Sequence, residues 1–304
     1  MKPVILPLPG NEVLAQALAQ RLDAEIGRFT VRRFPDGETY LRIETELAGR
    51  TVIVAATLDR PDDKLLPLLF AASTAKELGA ASVGLVTPYL AYMRQDQRFL
   101  SGEAVTSVYF ARLLSASVDW LVTVDPHLHR RSSLDEIYSI PSHVVHAATL
   151  VSAWIRQFVV APLLVGPDSE SEQWVAAVAS ASGAPYVVLQ KMRHGDREVE
   201  VSVPDIERWR ARTPVLVDDI ISTARTMIET VGHLRRAGLP PPICIGVHAI
   251  FAGDAYEALL AAGAARVVTC NTIAHVSNAI NLDDLLAAGV RTMLVSTSAA
   301  EEGR

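Results

Sequence analysis

The sequence predicts an α/β protein of two like domains, each built on a mainly parallel sheet, and three observations lead there. Short β-branched runs recur along nearly the whole chain, and they alternate too little between polar and apolar to have a wet face. Such runs belong to strands covered on both sides, as in parallel sheets. Amphipathic stretches lie between them, each closing near a glycine, where helices commonly end. Finally, the order TVIVAAT, helix, SVGLVTP in the first half is echoed by PVLVDDI, helix, ICIGVHA in the second.

Taken in order, the strand candidates are TVIVAA (51–56), SVGLVTP (82–88), WLVTVDP (120–126), PLLVGPD (162–168), PYVVLQK (185–191), PVLVDD (214–219), ICIGVHAIF (243–251) and RVVTCNT (266–272). LLPLLFAASTAKELGA, SEQWVAAVASASG and TMIETVGHLRRAG supply helices between them. Alternation of this kind calls for right-handed crossovers. The 304 residues make room for two domains, each near the common size of about 150 residues. The division falls near residue 145, giving domains 1–145 and 146–304, with the tail available to pack back on the first. The last residues, STSAAEEGR, read as frayed.

Half of the residues are apolar and a fifth are charged, which is globular composition. A net charge of −6 argues against a broad nucleic-acid-binding surface. Cys244 and Cys270, the two cysteines, lie in apolar runs and read as small buried residues of a reducing compartment. MKPVILPLPG is too short and too proline-broken for a signal peptide. No apolar run approaches the roughly 18 residues of a membrane span. The expectation is a cytoplasmic protein that binds neither nucleic acid nor membrane.

Residues 215–227, VLVDDIISTARTM, place two carboxylates where a strand gives way to a helix. Strands of parallel sheets deliver their carboxyl ends to the edge where ligands bind. Hydroxyls at Ser222, Thr223 and Thr226, with the free amides of a helix start, make an anion cradle. Asp218 and Asp219 can accept hydrogen bonds from sugar hydroxyls or hold a divalent cation through water. A phosphate at one end and a diol at the other is the shape of a phosphorylated sugar. The competing reading is helix capping by Asp219 or Ser222.

VLVDDIISTART resembles the ribose-phosphate loop of phosphoribosyltransferase-type folds. The chain around it resembles the ribose-phosphate pyrophosphokinase family, in its archaeal-type sequences, through several motifs in the same order. The resemblance implies two phosphoribosyltransferase-type, Rossmann-like domains, an N-terminal one on the ATP side and a C-terminal one binding ribose 5-phosphate. It implies that Asp218, Asp219, Ser222, Thr223, Ala224, Arg225 and Thr226 bind ribose 5-phosphate. The family usually has two glycines where this chain has Ala224 and Arg225. A guanidinium matches phosphate geometry well and is suited to replace an altered amide contact.

The other motifs have ordinary readings alone. RFPDGETYLRI (33–43) is a Pro-Asp-Gly turn between strand-like flanks; the family's FxDGE segment implies ATP binding by Phe34, Asp36, Gly37 and Glu38. PYLAYMRQDQRF (88–99) is a charged loop after a strand; the family's RQD segment implies nucleotide contacts from Arg94 and Gln95, with a helix starting near Ala104. VDPHLHR (124–130) has histidines two apart, a spacing that is usually incidental. The family's Asp-x-His element implies Mg²⁺ near His127 and gives His129 no role. VGPDSES (165–171) ends a strand at Asp168, the family's second magnesium-associated residue, with Glu170 a like charge beside the expected pyrophosphate cradle. LQKMRHGDREVEVSV (189–203) puts Lys191 and Arg193 at a strand end before a polar hairpin. The family's catalytic loop implies that both are catalytic and that Arg193 also meets ribose 5-phosphate.

The implied reaction transfers the β,γ-diphosphoryl group of ATP to the anomeric hydroxyl of ribose 5-phosphate, with Mg²⁺ as cofactor, giving phosphoribosyl pyrophosphate and AMP. A phosphoribosyltransferase and a non-catalytic regulatory relative are the alternatives. The family also implies a homo-oligomer, a dimer or higher, whose FxDGE segment reaches a neighbouring subunit's ATP site.

Overall fold

A computed structural model describes residues 1–168, 171–194, 198–202 and 206–302; of these, the side chains of 190–202, 206–207 and 297–302 lie outside the description. The chain divides into two compact units, one of residues 1–145 with 283–304 and one of residues 146–282.

The first unit opens with β1 (Val4–Pro7), α1 (Glu12–Leu22), β2 (Glu25–Ile26), β3 (Phe29–Arg33), β4 (Thr39–Ile43) and β5 (Thr51–Ala55). α2 (Pro61–Glu77), β6 (Ser82–Thr87), α3 (Thr106–Ser117), β7 (Trp120–Val124) and β8 (Ser142–Val145) follow. Six strands form one sheet in the order β2-β1-β5-β6-β7-β8, parallel throughout. Every residue of β6 and β7 is buried, which is what strands without alternation require. Gly84 of β6 lies under the Trp120 ring, and a Cβ there would stand 2.0 Å from it, so only glycine fits. β3 and β4 leave the sheet as a separate antiparallel hairpin.

The second unit contains α4 (Ala148–Phe158), β9 (Pro162–Gly166), α5 (Glu172–Ser182), β10 (Tyr186–Val188), β11 (Gln190–His194) and β12 (Glu198–Ser202). It continues with α6 (Ile206–Trp209), β13 (Thr213–Ile221), α7 (Arg225–Arg236), β14 (Ile243–Ala249), α8 (Ala255–Ala261), β15 (Arg266–Cys270) and β16 (Asn278–Ile280). Its sheet runs β10-β9-β13-β14-β15-β16, again all parallel. Cys244 and Cys270 are buried in it as thiols, not as a disulfide, and burial pushes the Cys244 thiol up to about 12.

α9 (Asp283–Glu302) returns to the first unit. Arg21 of α1 pairs with Asp283 and Asp284, and the Arg291 guanidinium donates to the Arg21 carbonyl at 2.9 Å. The residues expected to fray are helical as far as Glu302. PYVVLQK also differs from expectation. It is not one strand: β10 ends at Val188, and Gln190 onward pairs antiparallel with β12.

Candidate active site

β13 runs two residues past the expected end. Asp218 and Asp219 lie within it, because pairing with β14 continues through Ile220↔His248 and Ile221↔Ala249. The turn is therefore only Ser222, Thr223 and Ala224, and Arg225 and Thr226 begin α7. That corrects the reading of Arg225 and Thr226 as loop residues. Ala224 is the residue before the helix, left-handed at φ 56° and ψ 7°, with its methyl buried. The residue at the N-cap position of α7 is Ala224, whose side chain cannot cap, so neither Asp219 nor Ser222 occupies the position that the ordinary reading of this stretch gave them. The first-turn amides of α7 are orphan donors at the carboxyl edge of a parallel sheet.

The carboxylates are already crowded. Asp219 is buried, and its amide donates to Asp218 Oδ1 at 3.0 Å. Burial raises the Asp218 pKa well above the usual carboxylate range, and the charges of Asp219 and Asp168 raise it further. Asp168 follows β9 and is fixed by Ser171, whose amide donates to Asp168 Oδ1 at 3.2 Å and whose hydroxyl donates to the Asp168 carbonyl at 2.6 Å. Three acids from two neighbouring strand ends thus share one region of the second unit. Glu170 lies outside the described residues. Lys191 and Arg193 fall on β11, and their side chains lie outside the description.

In the first unit, Phe34, Asp36, Gly37 and Glu38 form the exposed tip of the β3–β4 hairpin. The Phe34 amide donates to the Glu38 carbonyl at 2.8 Å, the Glu38 amide to Asp36 Oδ1 at 3.2 Å, and Gly37 takes φ +94°. Asp36 thus shapes the turn, which leaves Phe34 and Glu38 as the outward groups. The hairpin is moored to α2 by Arg33, which donates to Asp63 at 3.3 Å and to the Gly37 carbonyl at 3.1 Å.

Arg94 is exposed in the loop after β6, and Gln95 accepts from the Thr106 hydroxyl at 3.0 Å; α3 starts at Thr106, two residues after the expected start. Asp96 is held at 3.3 Å by Arg130, while Arg131 donates to the Asp96 carbonyl at 3.2 Å. His127 has φ 48°, and its Nδ1 is 3.0 Å from His129 Nε2. The sequence assigned roles to neither His129 nor the Arg130–Arg131 pair. The only visible signal was the density of cationic groups in HLHRR. A histidine with its second nitrogen fixed by a neighbour is oriented as metal-ligating histidines usually are.

Parallel α/β units, with an acidic strand end leading through a short hydroxyl-bearing turn into a helix start, define a phosphoribosyltransferase-type protein. Two family models match: the N-terminal domain of ribose phosphate pyrophosphokinase over residues 4–117 and the phosphoribosyl transferase domain over residues 133–284. A ribose-phosphate pyrophosphokinase of Methanopyrus kandleri is 34% identical over 89% of this chain and 92% of its own length. Its namesake from Methanothermobacter thermautotrophicus is 32% identical over 93% and 98%. The crystal structure of phosphoribosylpyrophosphate synthetase from Mycobacterium smegmatis shares the fold, with a TM-score of 0.85 and 23% identity over 97% of this chain and 100% of that one. The chain belongs to the ribose-phosphate pyrophosphokinase family. It is a transferase.

Proposed function

We infer that the chain transfers the β,γ-diphosphoryl group of Mg-ATP to ribose 5-phosphate, forming phosphoribosyl pyrophosphate and AMP for nucleotide biosynthesis. The observation that carries this reading is β13. It brings Asp218 and Asp219 within one short turn of a helix start whose N-cap is an alanine, so a sugar diol and a phosphate each meet a complementary group. Asp218 and Asp219 hold the ribose hydroxyls. Ser222, Thr223 and the first amides of α7 hold the phosphate, with the exposed Arg225 at the first position of that helix.

The donor set fits a divalent cation. Asp218 repelled by Asp219 and Asp168 is an acidic cluster that a hard cation relieves. Asp168 serves one magnesium-associated position and His127 another. Bound Mg²⁺ would neutralise the phosphate oxygens of ATP. The chain's own contribution is positioning and charge. Lys191 and Arg193 supply cations toward the group in transfer, and Arg193 also meets ribose 5-phosphate. Phe34 offers a ring for the base, Glu38 an acceptor, and Arg94 and Gln95 further nucleotide contacts. The first unit is the ATP side and the second the sugar-phosphate side.

The protein works in the cytoplasm as a homo-oligomer, and a neighbouring subunit's hairpin completes each ATP site. Exposed apolar residues on α2 and α3 support self-association: Leu66, Phe70, Tyr109 and Leu113 are 44–54% accessible. Among the described residues no helix is long and apolar enough to cross a membrane. One assay tests the activity: AMP release from Mg-ATP that requires ribose 5-phosphate. A phosphoribosyltransferase or a non-catalytic relative would release none.

A further inference from the structure

The two faces of the β3–β4 hairpin differ in what they do. On one face Arg33, opposite Thr39, turns to α2, where Asp63, Leu66 and Phe70 help line a cleft of about 480 Å³. On the other, Arg32 stands opposite Tyr40 in the register. The Arg32 guanidinium lies 4.0 Å from the centre of the Tyr40 ring and 4.8 Å from that of Phe34. The two rings meet edge to face, with centres 6.0 Å apart and planes at 87°. Phe34 stays 41% accessible.

We propose that Arg32 and Tyr40 are positioning residues that hold the Phe34 ring in the orientation that receives the base of the nucleotide. This rests on the reading of Phe34 as a nucleotide contact. A phenylalanine at an exposed turn tip samples several rotamers, and a base stacking on it must first select one. Here the selection is made beforehand. The cation covers one face of Phe34, Tyr40 butts against the ring, and the cross-strand pairing of Arg32 with Tyr40 fixes both to the hairpin backbone. The accessible remainder of Phe34 is the surface left for a planar partner. All three groups lie on an exposed hairpin, so their replacement leaves both cores untouched.

The test is a double-mutant cycle read in KM for ATP and in kcat. Arg32→Gln is expected to raise KM for ATP about 3- to 10-fold, the scale of one side-chain ordering cost, with kcat and KM for ribose 5-phosphate within about two-fold of wild type. Tyr40→Leu should act alike, while Tyr40→Phe and Arg32→Lys, which keep the ring and the cation, should restore most of the affinity. In a Phe34→Leu background, Arg32→Gln should change KM for ATP by less than about 1.5-fold, because its effect passes through the ring. An equal rise in both backgrounds would show Arg32 touching the nucleotide itself and would overturn the positioning role, as would an unchanged KM on the wild-type background. If Phe34→Leu alone leaves KM for ATP unchanged, the nucleotide reading of Phe34 falls, and the positioning role falls with it.

Discussion

Ala224 stands where a left-handed backbone precedes α7, and its exchange for glycine gives a prediction whose terms nearly cancel. At φ 56° an L residue with a Cβ carries a strain of about 1–2 kcal/mol that glycine lacks. Against this, Ala224→Gly loses a buried methyl packed in the core cluster of the second unit, about 0.8 kcal/mol. It also frees the unfolded chain by about 0.4–1 kcal/mol. The sum is close to zero, so the melting temperature should stay within about 2 °C of wild type. Were Ala224 right-handed in solution, no strain would be relieved, and the same exchange would cost about 1.5 kcal/mol and about 3–6 °C. Ala224→Val supplies the contrast: a β-branched residue in this conformation and this packing should cost about 3 kcal/mol or more. Thermal melts of both variants, with KM for ribose 5-phosphate, form the assay. The glycine variant should keep KM within about two-fold, since the amides of the turn hold their places. A glycine variant melting well below wild type, or a valine variant melting with it, would refute the assignment of a strained turn to the phosphate loop.

Three further outcomes follow from the site. Lys191→Ala should lower turnover by about 10²-fold or more, the scale for one preorganised charge, with little change in nucleotide affinity; parallel losses of both would make Lys191 a binding residue only. Arg225→Gly should raise KM for ribose 5-phosphate more than KM for ATP, because Arg225 opens α7 with its side chain exposed; an unchanged KM means that amides alone hold the phosphate. Asp218→Asn should lose activity yet melt higher than wild type at neutral pH. Below the unfolded carboxyl's pKa both states hold the proton and the substitution changes little. Above it the unfolded chain ionises first, so wild-type stability falls as pH rises through the elevated folded value, which burial, Asp219 and Asp168 set. Melts from pH 3 to 8 check the sign: a variant gap that shrinks with rising pH contradicts it.

Runs buried on both faces were readable. β5, β6, β7, β9, β14 and β15 begin where the apolar runs begin, because apolar and β-branched residues dominate each of them. β1, β8 and β16 were not read: VILP is cut short by prolines, while SHVV and NAI are edge strands too short for periodicity to register. The end of β13 was misjudged for a different reason. Two aspartates look like the end of a strand, but the length of β14 decides how far its neighbour stays paired. Within the site, residue types announced themselves, whereas supporting pairs did not. Asp96 meets Arg130 across 34 positions, and His127 reaches His129 from a positive-φ backbone that no sequence pattern marks.

The internal echo of the sequence shows why a repeated topology need not repeat chemistry. In both units a parallel strand feeds a helix through a left-handed residue: Arg60 at φ 51° before α2 and Ala224 at φ 56° before α7. In the first unit a lysine of the helix's own first turn turns back into the loop. Lys64 pairs with Asp59 and donates to the Thr57 carbonyl at 3.0 Å, while Asp62 takes the Tyr92 hydroxyl. The helix there begins with Asp62 and Asp63, whose charges suit the positive end of the helix and oppose an incoming phosphate. α7 begins with no acid in its first turn, and its carboxylates sit instead in the strand, one step back from the amides. The same strand–turn–helix frame is thus closed by its own charges in one unit, whereas in the other the acids stand back from the helix start, as the proposed ribose and phosphate contacts require. Placement of the acids relative to the helix start, two residues inside it or several before it, decides which of the two a copy becomes.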